Sequence, residues 1–447
     1  MRKRITLFHA ADEVIAVKNI SASHVEFESP VAVSIEEKFT RTVPALDTVA
    51  SLRIHIAKPS ANALKVPSVF QYPYQIGLHI YAKPQTAAIG FTDDPLAFFA
   101  ELNSELEKIF GCQIRAGQWI QSVDAFYYHS LETPDVSFLD GFVLEDLWQA
   151  LDYYRSSDTV VTKAFQAQTT IRRLEECRDE VFTEVGVFSA ENHSTNDDIV
   201  LSGLRILLNE PEKKDEPSVH RTVLHTKSRH RSTEDHVALV HVLPNGLHPV
   251  MSFETIPAPP SDDDIDACSL FAYLTLQKSV FLDRYQVPDN LEVVVHFGTK
   301  DLERPAYSID EWGTEVLLQW KKPSTQALNL TLHSRYQLPN ATTDVTTQTI
   351  DNAMLFYACD CTTNKQQLSS SVFDNKRPIG GSFERFFTND TVFYHVSKRA
   401  THDVSIPILQ GDATIINLTT LLALSAGLFL VLLAVYNRLL RRKQKTE

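Results

Sequence analysis

Residues 329–340, NLTLHSRYQLPN, bring a histidine, an arginine and a tyrosine together within four positions, a combination that could form an active site. In a strand with a period of two, Tyr336 points with the neighbouring leucines towards the core, whereas His333 and Arg335 point to the opposite, solvated face. Catalytic side chains must converge on one reacting group. The spacing therefore predicts a scaffold or interaction strand rather than an active site.

Two other segments have residue types that could bind a metal ion. SDDDIDA, residues 261–267, has the D-x-D spacing with which many glycosyltransferases hold a metal and a sugar phosphate, but a block of like charge usually forms a solvated loop. His220, His225 and His230 recur every five residues, a spacing that neither a helix face nor a strand face collects. We predict no catalytic residue, no cofactor and no metal site.

The C-terminal part has the pattern of a membrane span. No residue from 413 to 437 is charged, and residues 415–436 would rise about 33 Å as a helix, against a hydrocarbon core of about 30 Å. Residues 438–447 carry a net charge of +4, which predicts a cytoplasmic tail. Subtracting this from the total of −14 leaves −18 for residues 1–436. Such an acidic region argues against a nucleic-acid partner.

Acceptor sites for N-linked glycans agree with a lumenal location for most of the chain. We expect glycans on four acceptors, which are Asn192, Asn329, Asn340 and Asn389. Asn417 is also an acceptor by sequence, but it lies at the membrane surface, and we expect no glycan there. Lys443 and Lys445 resemble a dilysine retrieval signal of endoplasmic reticulum membrane proteins. The N-terminus is a poor signal peptide, because its apolar stretch is short. The sequence predicts a single-pass reticulum protein with a lumenal N-terminus and a cytoplasmic C-terminus.

The chain has five cysteines, and an odd number in an oxidising lumen indicates one or two disulfides and a free thiol. Cys359 and Cys361 are separated by one residue, which is not the spacing of a zinc site. We expect Cys268 to form a disulfide with one of these two cysteines.

The order of local patterns predicts a mainly β protein. Residues 1–209 form a mixed α/β region, with strands at 51–59, 74–84 and 184–190. One helix starts with Asp94 as its N-cap, and a second is predicted over 144–157. Residues 210–235 are polar and contain two prolines, which indicates a linker.

Residues 236–412 predict an antiparallel β-sandwich-like domain, which a transmembrane helix at 413–437 and the basic tail at 438–447 follow. Its strand-like segments are 236–244, 270–277, 291–298, 315–322, 328–338, 352–360 and 390–398.

Four segments of this domain resemble the PIG-X family, the small subunit of glycosylphosphatidylinositol (GPI) mannosyltransferase I. They are PNGLHPVMSFE from 244, FGTKDLERPAYSIDEWG from 297, LTLHSRYQLP from 330 and LFYACD from 355. The most specific positions are Gly246, Leu247, His248 and Pro249, followed by His333, Arg335, Tyr336 and Pro339. The resemblance covers about residues 236–436, and EVGVF from 184 is similar to the longer fungal members.

The resemblance implies a non-catalytic subunit that stabilises a multispanning catalytic subunit of the PIG-M type. That enzyme transfers the first mannose of the GPI anchor from dolichyl-phosphate mannose at the lumenal face. A single span agrees with this role, because a pocket for a polyprenyl donor requires several helices. The alternative is a membrane-anchored chaperone of the endoplasmic reticulum for lumenal and membrane client proteins.

Overall fold

The structure, a computed structural model, is mainly β, with 53% of residues in strands and 15% in helices, as the sequence predicts. It describes residues 1–9, 15–22, 24–28, 33–59, 75–85, 94–134, 136, 138–139, 142–143, 148–169, 173–175, 181–191, 198–210, 216–227, 229–232, 237–261, 265–299, 301–322, 325–361, 383–388, 390–398 and 400–443.

The N-terminal unit, residues 1–227, is built around one large sheet. Its strands are β1 (Arg2–His9), β2 (Ala16–Ile20), β3 (His24–Glu28), β4 (Val33–Thr42), β5 (Val49–Ala57), β6 (Gly77–Pro84), β7 (Ile120–Gln121), β8 (Phe126–Ser130), β9 (Phe138–Leu139), β10 (Phe142–Val143), β11 (Ala150–Arg155), β12 (Thr159–Thr169), β13 (Arg173–Glu175), β14 (Phe182–Ala190), β15 (Asp198–Leu208) and β16 (Ser218–Lys227).

Eleven of these strands form the sheet, in the order β16-β15-β14-β1-β4-β12-β11-β5-β6-β8-β7. Neighbouring strands are antiparallel except β1 and β14, which are parallel.

Helix α1 (Pro95–Phe110) covers one face of this sheet. The Asp94 side chain accepts a hydrogen bond from the Ala97 backbone N–H at 3.0 Å, as predicted for an N-cap, and Pro95 needs no donor there. The helix ends at Gly111, whose φ of +66° is the left-handed conformation that glycine tolerates. Its buried side chains recur every four residues and pack on strands β5 and β6: Phe98, Leu102 and Leu106.

Two local predictions in the N-terminal unit are wrong. Within the helix predicted over 144–157, residues Ala150–Arg155 form strand β11, because they pair with β5 and β12 near the middle of the sheet. The predicted linker over 210–235 contains strand β16, which pairs with β15 along ten residues. This strand lies at the edge of the sheet, where His220, Arg221 and His225 are exposed together with Val219 and Val223, so its sequence lacks a clear apolar alternation.

The C-terminal domain, residues 229–411, is the predicted sandwich. Its strands are β17 (His230–Ser232), β18 (Leu239–Leu243), β19 (Val250–Glu254), β20 (Ile265–Gln277), β21 (Val280–Phe281), β22 (Leu291–Gly298), β23 (Gly313–Trp320), β24 (Leu328–Thr331), β25 (His333–Ser334), β26 (Val345–Asp351), β27 (Met354–Cys361), β28 (Thr391–His395) and β29 (Thr401–Pro407).

Strand order in the larger sheet is β17-β28-β27-β20-β23-β22, and a second sheet has the order β18-β19-β24. Every one of the seven predicted segments contains a strand, whereas five strands were not predicted: β17, β19, β21, β26 and β29.

Strand β20 explains how the larger sheet contacts two different layers. Leu270 and Leu274 point into the sandwich core, where they pack with Met251 of β19. The alternate residues Tyr273 and Thr275 point to the other face, which packs against the N-terminal unit. The molecule therefore has a sandwich core on one side of this sheet and an interface between its two units on the other.

Helix α2 (Ala413–Lys443) follows the domain directly. Its first 26 residues, Ala413–Arg438, are long and apolar enough to cross a membrane, and the helix is exposed throughout this range. At about 1.5 Å per residue this part measures about 39 Å, which exceeds a hydrocarbon core of about 30 Å. The described part of the chain contains one helix of this kind, consistent with a single-pass membrane protein.

Candidate functional site

The two family-motif segments lie side by side, although His248 and His333 are 85 positions apart in the chain. The Ser334 N–H donates to the Leu247 carbonyl at 2.8 Å, and the Leu332 N–H donates to the Pro249 carbonyl at 2.8 Å. These two hydrogen bonds extend the antiparallel pairing of β19 with β24 beyond Thr331, the last residue of β24. We call the surface built from the two segments the motif surface: Gly246, Leu247, His248, Pro249, His333, Arg335, Tyr336 and Pro339.

Gly246 forms the turn that brings the first segment into place. Its φ of +57° lies in the left-handed region, and an added Cβ would meet no atom within 4 Å. The backbone conformation, not lack of space, therefore favours glycine here. The His248 N–H closes the turn by donating to the Asn245 carbonyl at 2.9 Å.

His248 and His333 form a hydrogen-bonded pair. Their Nδ1 atoms are 3.1 Å apart, so one of them donates to the other, and the rings are nearly perpendicular. The other nitrogen of His333, Nε2, lies 3.1 Å from Gln286 Oε1. Partial burial and the neighbouring His248 lower the pKa of His333, so His333 is favoured in its neutral form. Both nitrogens of His333 therefore contact the protein itself.

Arg335 is buried, contrary to the prediction that it is solvated. Its Nη1 donates to the carbonyl oxygens of Asp301 and Arg304, at 2.6 and 2.8 Å. The guanidinium lies 4.5 Å from the centre of the Phe281 ring, on which His333 also stacks. Arg335 thus fixes the loop after β22 and is enclosed by its own chain.

Tyr336 is 69% exposed, so its predicted place in the core is wrong. The predicted alternation holds for Leu328, Leu330 and Leu332, which are buried. It fails afterwards because β24 ends at Thr331, and the next residues pair with β21 as the separate strand β25. The Tyr336 carbonyl accepts a hydrogen bond from the Ala306 N–H in a neighbouring loop. Tyr307, the next residue of that loop, is also exposed and lies close to Tyr336 in consequence.

The structure places some of the remaining predicted sites. The acceptors Asn329 and Asn340 are exposed, whereas Asn192 and Asn389 lie outside the described residues. Cys268 and Cys359 are joined by a disulfide, one of the two expected alternatives, and the side chain of Cys361 is not among those described. Asp262 and Asp264 also lie outside the described residues.

The three evenly spaced histidines do not form one cluster. His220 and His225 are exposed on β16, whereas His230 is buried in the other unit, with its Nδ1 3.0 Å from His395 Nε2. Among the described residues, no group of three or more histidine, cysteine or acidic side chains could hold a metal ion.

The sequence did not reveal a buried polar interface between the two units. We call it the interunit seam, and it comprises Gln75, His79, Ser122, Tyr127, His129, Thr275, Glu315, Asp351 and Arg385. Its centre is an ion pair between Arg385 and Glu315, whose side chains are 2% and 0% exposed. Ser122 of the N-terminal unit donates to Glu315 at 2.7 Å and accepts from Arg385 at 2.6 Å.

A row of histidines continues the seam across the N-terminal sheet. His55, His79 and His129 are paired in register on β5, β6 and β8. Burial lowers the pKa of His129 to about 4 and raises that of Asp351, 3.9 Å away, well above its ordinary value. Both groups are therefore favoured in their neutral forms. In the sequence, His55 and His79 lie in two of the predicted strands, whereas the strand that contains His129 was not predicted.

Comparison with known proteins gives a consistent assignment. A family model described as PIG-X / PBN1 matches residues 244–436, which include both motif segments and α2. Protein PBN1 of Debaryomyces hansenii is 34% identical over 460 residues, covering 99% of this chain and 98% of that protein. Protein PBN1 of Candida albicans is 31% identical over 476 residues, covering 97% of each chain. The chain therefore belongs to the PIG-X/PBN1 family.

Proposed function

We propose that this protein is the non-catalytic subunit that stabilises the catalytic subunit of GPI mannosyltransferase I in the endoplasmic reticulum membrane. Family membership supports a role in GPI-anchor biosynthesis. The proposed partner is a multispanning enzyme of the PIG-M type, which adds the first mannose. The protein itself requires no cofactor in this role.

The arrangement of the motif surface is the observation that carries the proposal. Its polar side chains bind the chain's own backbone and side chains: Arg335 holds two carbonyl oxygens, and His248 and His333 bond to each other. The outward part of this surface includes His248 and the aromatic side chain of Tyr336, which is 69% exposed, and Tyr307 in the adjoining loop is 58% exposed. Exposed aromatic side chains supported by a rigid base are typical of a protein contact.

Loss of the chain should lower the abundance of the catalytic subunit and cause the unmannosylated glucosaminyl precursor to accumulate. Replacing Tyr336 with Ala should reduce co-purification with that subunit in mild detergent, because it removes an exposed aromatic side chain without disturbing the core. Val223→Ala on β16 is the matched control, since Val223 is 59% exposed and belongs to the other unit.

Two outcomes would contradict the proposal. Co-purification with many client proteins instead of one multispanning enzyme would favour the chaperone alternative. Normal abundance and assembly of the catalytic subunit together with lost mannose transfer would assign the chain a part in the chemistry.

We also propose that the N-terminal side is lumenal and glycosylated and that the tail is cytoplasmic. The support is one apolar helix followed by a basic segment, with exposed acceptors at Asn329 and Asn340. Endoglycosidase should increase the gel mobility of the native protein. Protease cleavage within residues 1–410 in sealed microsomes would disprove this orientation.

A further inference from the structure

The joint between the C-terminal domain and α2 is held by backbone hydrogen bonds. The Gly411 N–H donates to the Asn340 carbonyl at 2.8 Å, and the Asn340 N–H donates to the Leu409 carbonyl at 3.2 Å. The Ile408 N–H donates to the Asp344 carbonyl at 2.8 Å. The loop that contains Asn340 and Asp344 is therefore fixed against the last residues before the helix.

No free linker separates this joint from the helix. Asp412 follows Gly411 directly and caps α2, with its Oδ1 accepting from the Thr414 N–H at 2.7 Å. A Cβ added to Gly411 would lie 2.9 Å from Ile416 Cδ1, so the side chain of Ile416 packs back over the joint. The domain and the start of the helix consequently keep one relative position.

The length of this connection fixes the depth of the joint relative to the bilayer. Ile415, the first large apolar residue of α2, lies four positions after Gly411, which corresponds to about 6 Å along a helix. The polar layer on each side of a bilayer is about 5–8 Å thick, since the whole bilayer measures about 40–45 Å and its hydrocarbon core about 30 Å. With Ile415 at the edge of the hydrocarbon core, the joint lies at the depth of the lipid headgroups.

The surface of the joint exposes four apolar residues next to polar and acidic ones, and it lacks basic side chains. Leu338, Val345 and Leu409 are 57%, 43% and 61% exposed, and Pro407, which pairs with Val345 at the end of β29, is also exposed. We call these four residues the collar. No lysine or arginine occurs in residues 336–345 or 400–412. Contact with a membrane would therefore rest on apolar side chains, not on attraction between basic groups and phosphates.

We propose that the collar lies in the headgroup layer of the bilayer and that Leu338 and Leu409 contact lipid there. This contact continues the lipid-facing surface of α2 onto the folded domain. This lipid contact fixes the orientation of the C-terminal domain relative to the membrane. It therefore also fixes the distance from the bilayer at which the motif surface can contact a neighbouring membrane protein. The proposal rests on α2 crossing the membrane and is independent of the identity of the partner enzyme. It also requires that Asn340, whose backbone is part of the joint, carries no glycan, which leaves Asn329 as the described acceptor that we expect to be modified.

Fluorescent labels at single cysteines test the proposal in the full-length protein. Cys112, Cys177 and Cys361 are first replaced by Ser, and the Cys268–Cys359 disulfide is kept. Leu338→Cys, Leu409→Cys and the control Val223→Cys are then labelled in phosphatidylcholine nanodiscs. Two quenchers are compared, a nitroxide attached to the lipid headgroup and iodide in the water. The thermal unfolding of each variant should match that of the parent before labelling.

Labels at 338 and 409 should lose most of their fluorescence to the headgroup nitroxide, whereas the label at 223 should respond only to iodide. Equal responses at all three positions would show that the collar stands clear of the bilayer. The same measurement on the complex purified with its membrane partner separates lipid from protein contact. Labels at 338 and 409 that are shielded there from both quenchers would assign the collar to a protein interface and overturn the proposal.

Discussion

Replacing Arg385 with Met tests whether the interunit seam holds the two units together. The guanidinium of Arg385 bonds to Glu315 and Ser122 and lies 4.5 Å from the centre of the Tyr81 ring. Burial alone would lower the pKa of Arg385, but the Glu315 carboxylate, together with Tyr81, Tyr273 and Tyr127, outweighs burial and raises it. Met fills a similar volume without charge, so the substitution leaves Glu315 as a buried anion without its cation.

The expected loss of stability follows from that uncompensated charge. Removing one partner of a buried ion pair costs about 3–5 kcal/mol. Glu315 keeps hydrogen bonds from Tyr273 and Ser122, both at 2.7 Å, which places the loss towards the lower end of this range. At roughly 2–4 °C per kcal/mol for a unit of this size, the unfolding temperature should fall by at least about 6 °C.

The double variant Arg385→Met with Glu315→Gln is the control for this reasoning. Gln removes the charge, its Oε1 still accepts from Tyr273, and its Nε2 can donate to the Ser122 hydroxyl, which no longer accepts from Arg385. The double variant should therefore be more stable than Arg385→Met alone. Thermal unfolding in mild detergent is followed by tryptophan fluorescence, because Trp312 lies in the interface and donates to the Tyr127 carbonyl at 2.9 Å. An Arg385→Met variant that unfolds within about 2 °C of the parent, or a double variant no more stable than the single one, refutes the argument.

Three further predictions concern other parts of the chain. Lowering the pH from 7 to 5 should reduce the free energy of unfolding by about 2 kcal/mol through His129, whose pKa is about 4 when folded and rises on unfolding to about 6.5. This contribution to stability is fully present above pH 6.5 and is lost as the pH falls towards 4. Denaturant titrations at pH 7 and pH 5 should show a smaller loss of unfolding free energy for His129→Gln than for the parent protein. Equal losses in the two proteins would contradict the assignment to His129. Replacing both Cys268 and Cys359 with Ser should destabilise the domain by roughly 4 kcal/mol in the chain-entropy model, because the disulfide closes a separation of 91 residues; non-reducing peptide mapping that finds Cys268 free would disprove the pairing. Changing Asp262 and Asp264 to Asn should leave mannose transfer unchanged; normal assembly without transfer would show that they take part in the chemistry.

The sequence predicted elements whose signals are local. Helix α1 combines Asp94, Pro95 and Gly111 at its ends with apolar residues at every fourth position, and all of these features are present in the structure. The sandwich strands were predicted from short apolar runs separated by Pro, Gly and Asn, although β20 and β23 proved to be buried on both faces. The pairing of Cys268 was narrowed to two cysteines, and the register of β20 with β27 places Cys268 opposite Cys359.

The failed predictions depend on partners that are distant in sequence. Residues 150–155 have helical apolar spacing, but pairing on both sides of β11 outweighs this local preference. Asp152 on that strand bonds to Arg53 of β5 at 2.8 Å, a buried contact that a single strand cannot predict. Tyr336 was assigned to the core because alternation was continued past Thr331, where the chain changes its pairing partner. In each case a distant strand determines the direction of the side chain.

The interunit seam also explains why the N-terminal unit and the motif-bearing domain belong to one folded body. The family model begins at residue 244, yet Glu315, Asp351 and Arg385 within that range are buried at the interface with the N-terminal unit. Gln75 accepts a hydrogen bond from Thr275 at 2.8 Å, and Ser122 donates one to Glu315 at 2.7 Å. Without the N-terminal unit, Trp312 would lose its packing against Ile120 and Tyr127 and would meet water. The N-terminal unit therefore forms a third layer next to the two sheets of the sandwich and supports the domain that carries the motif surface.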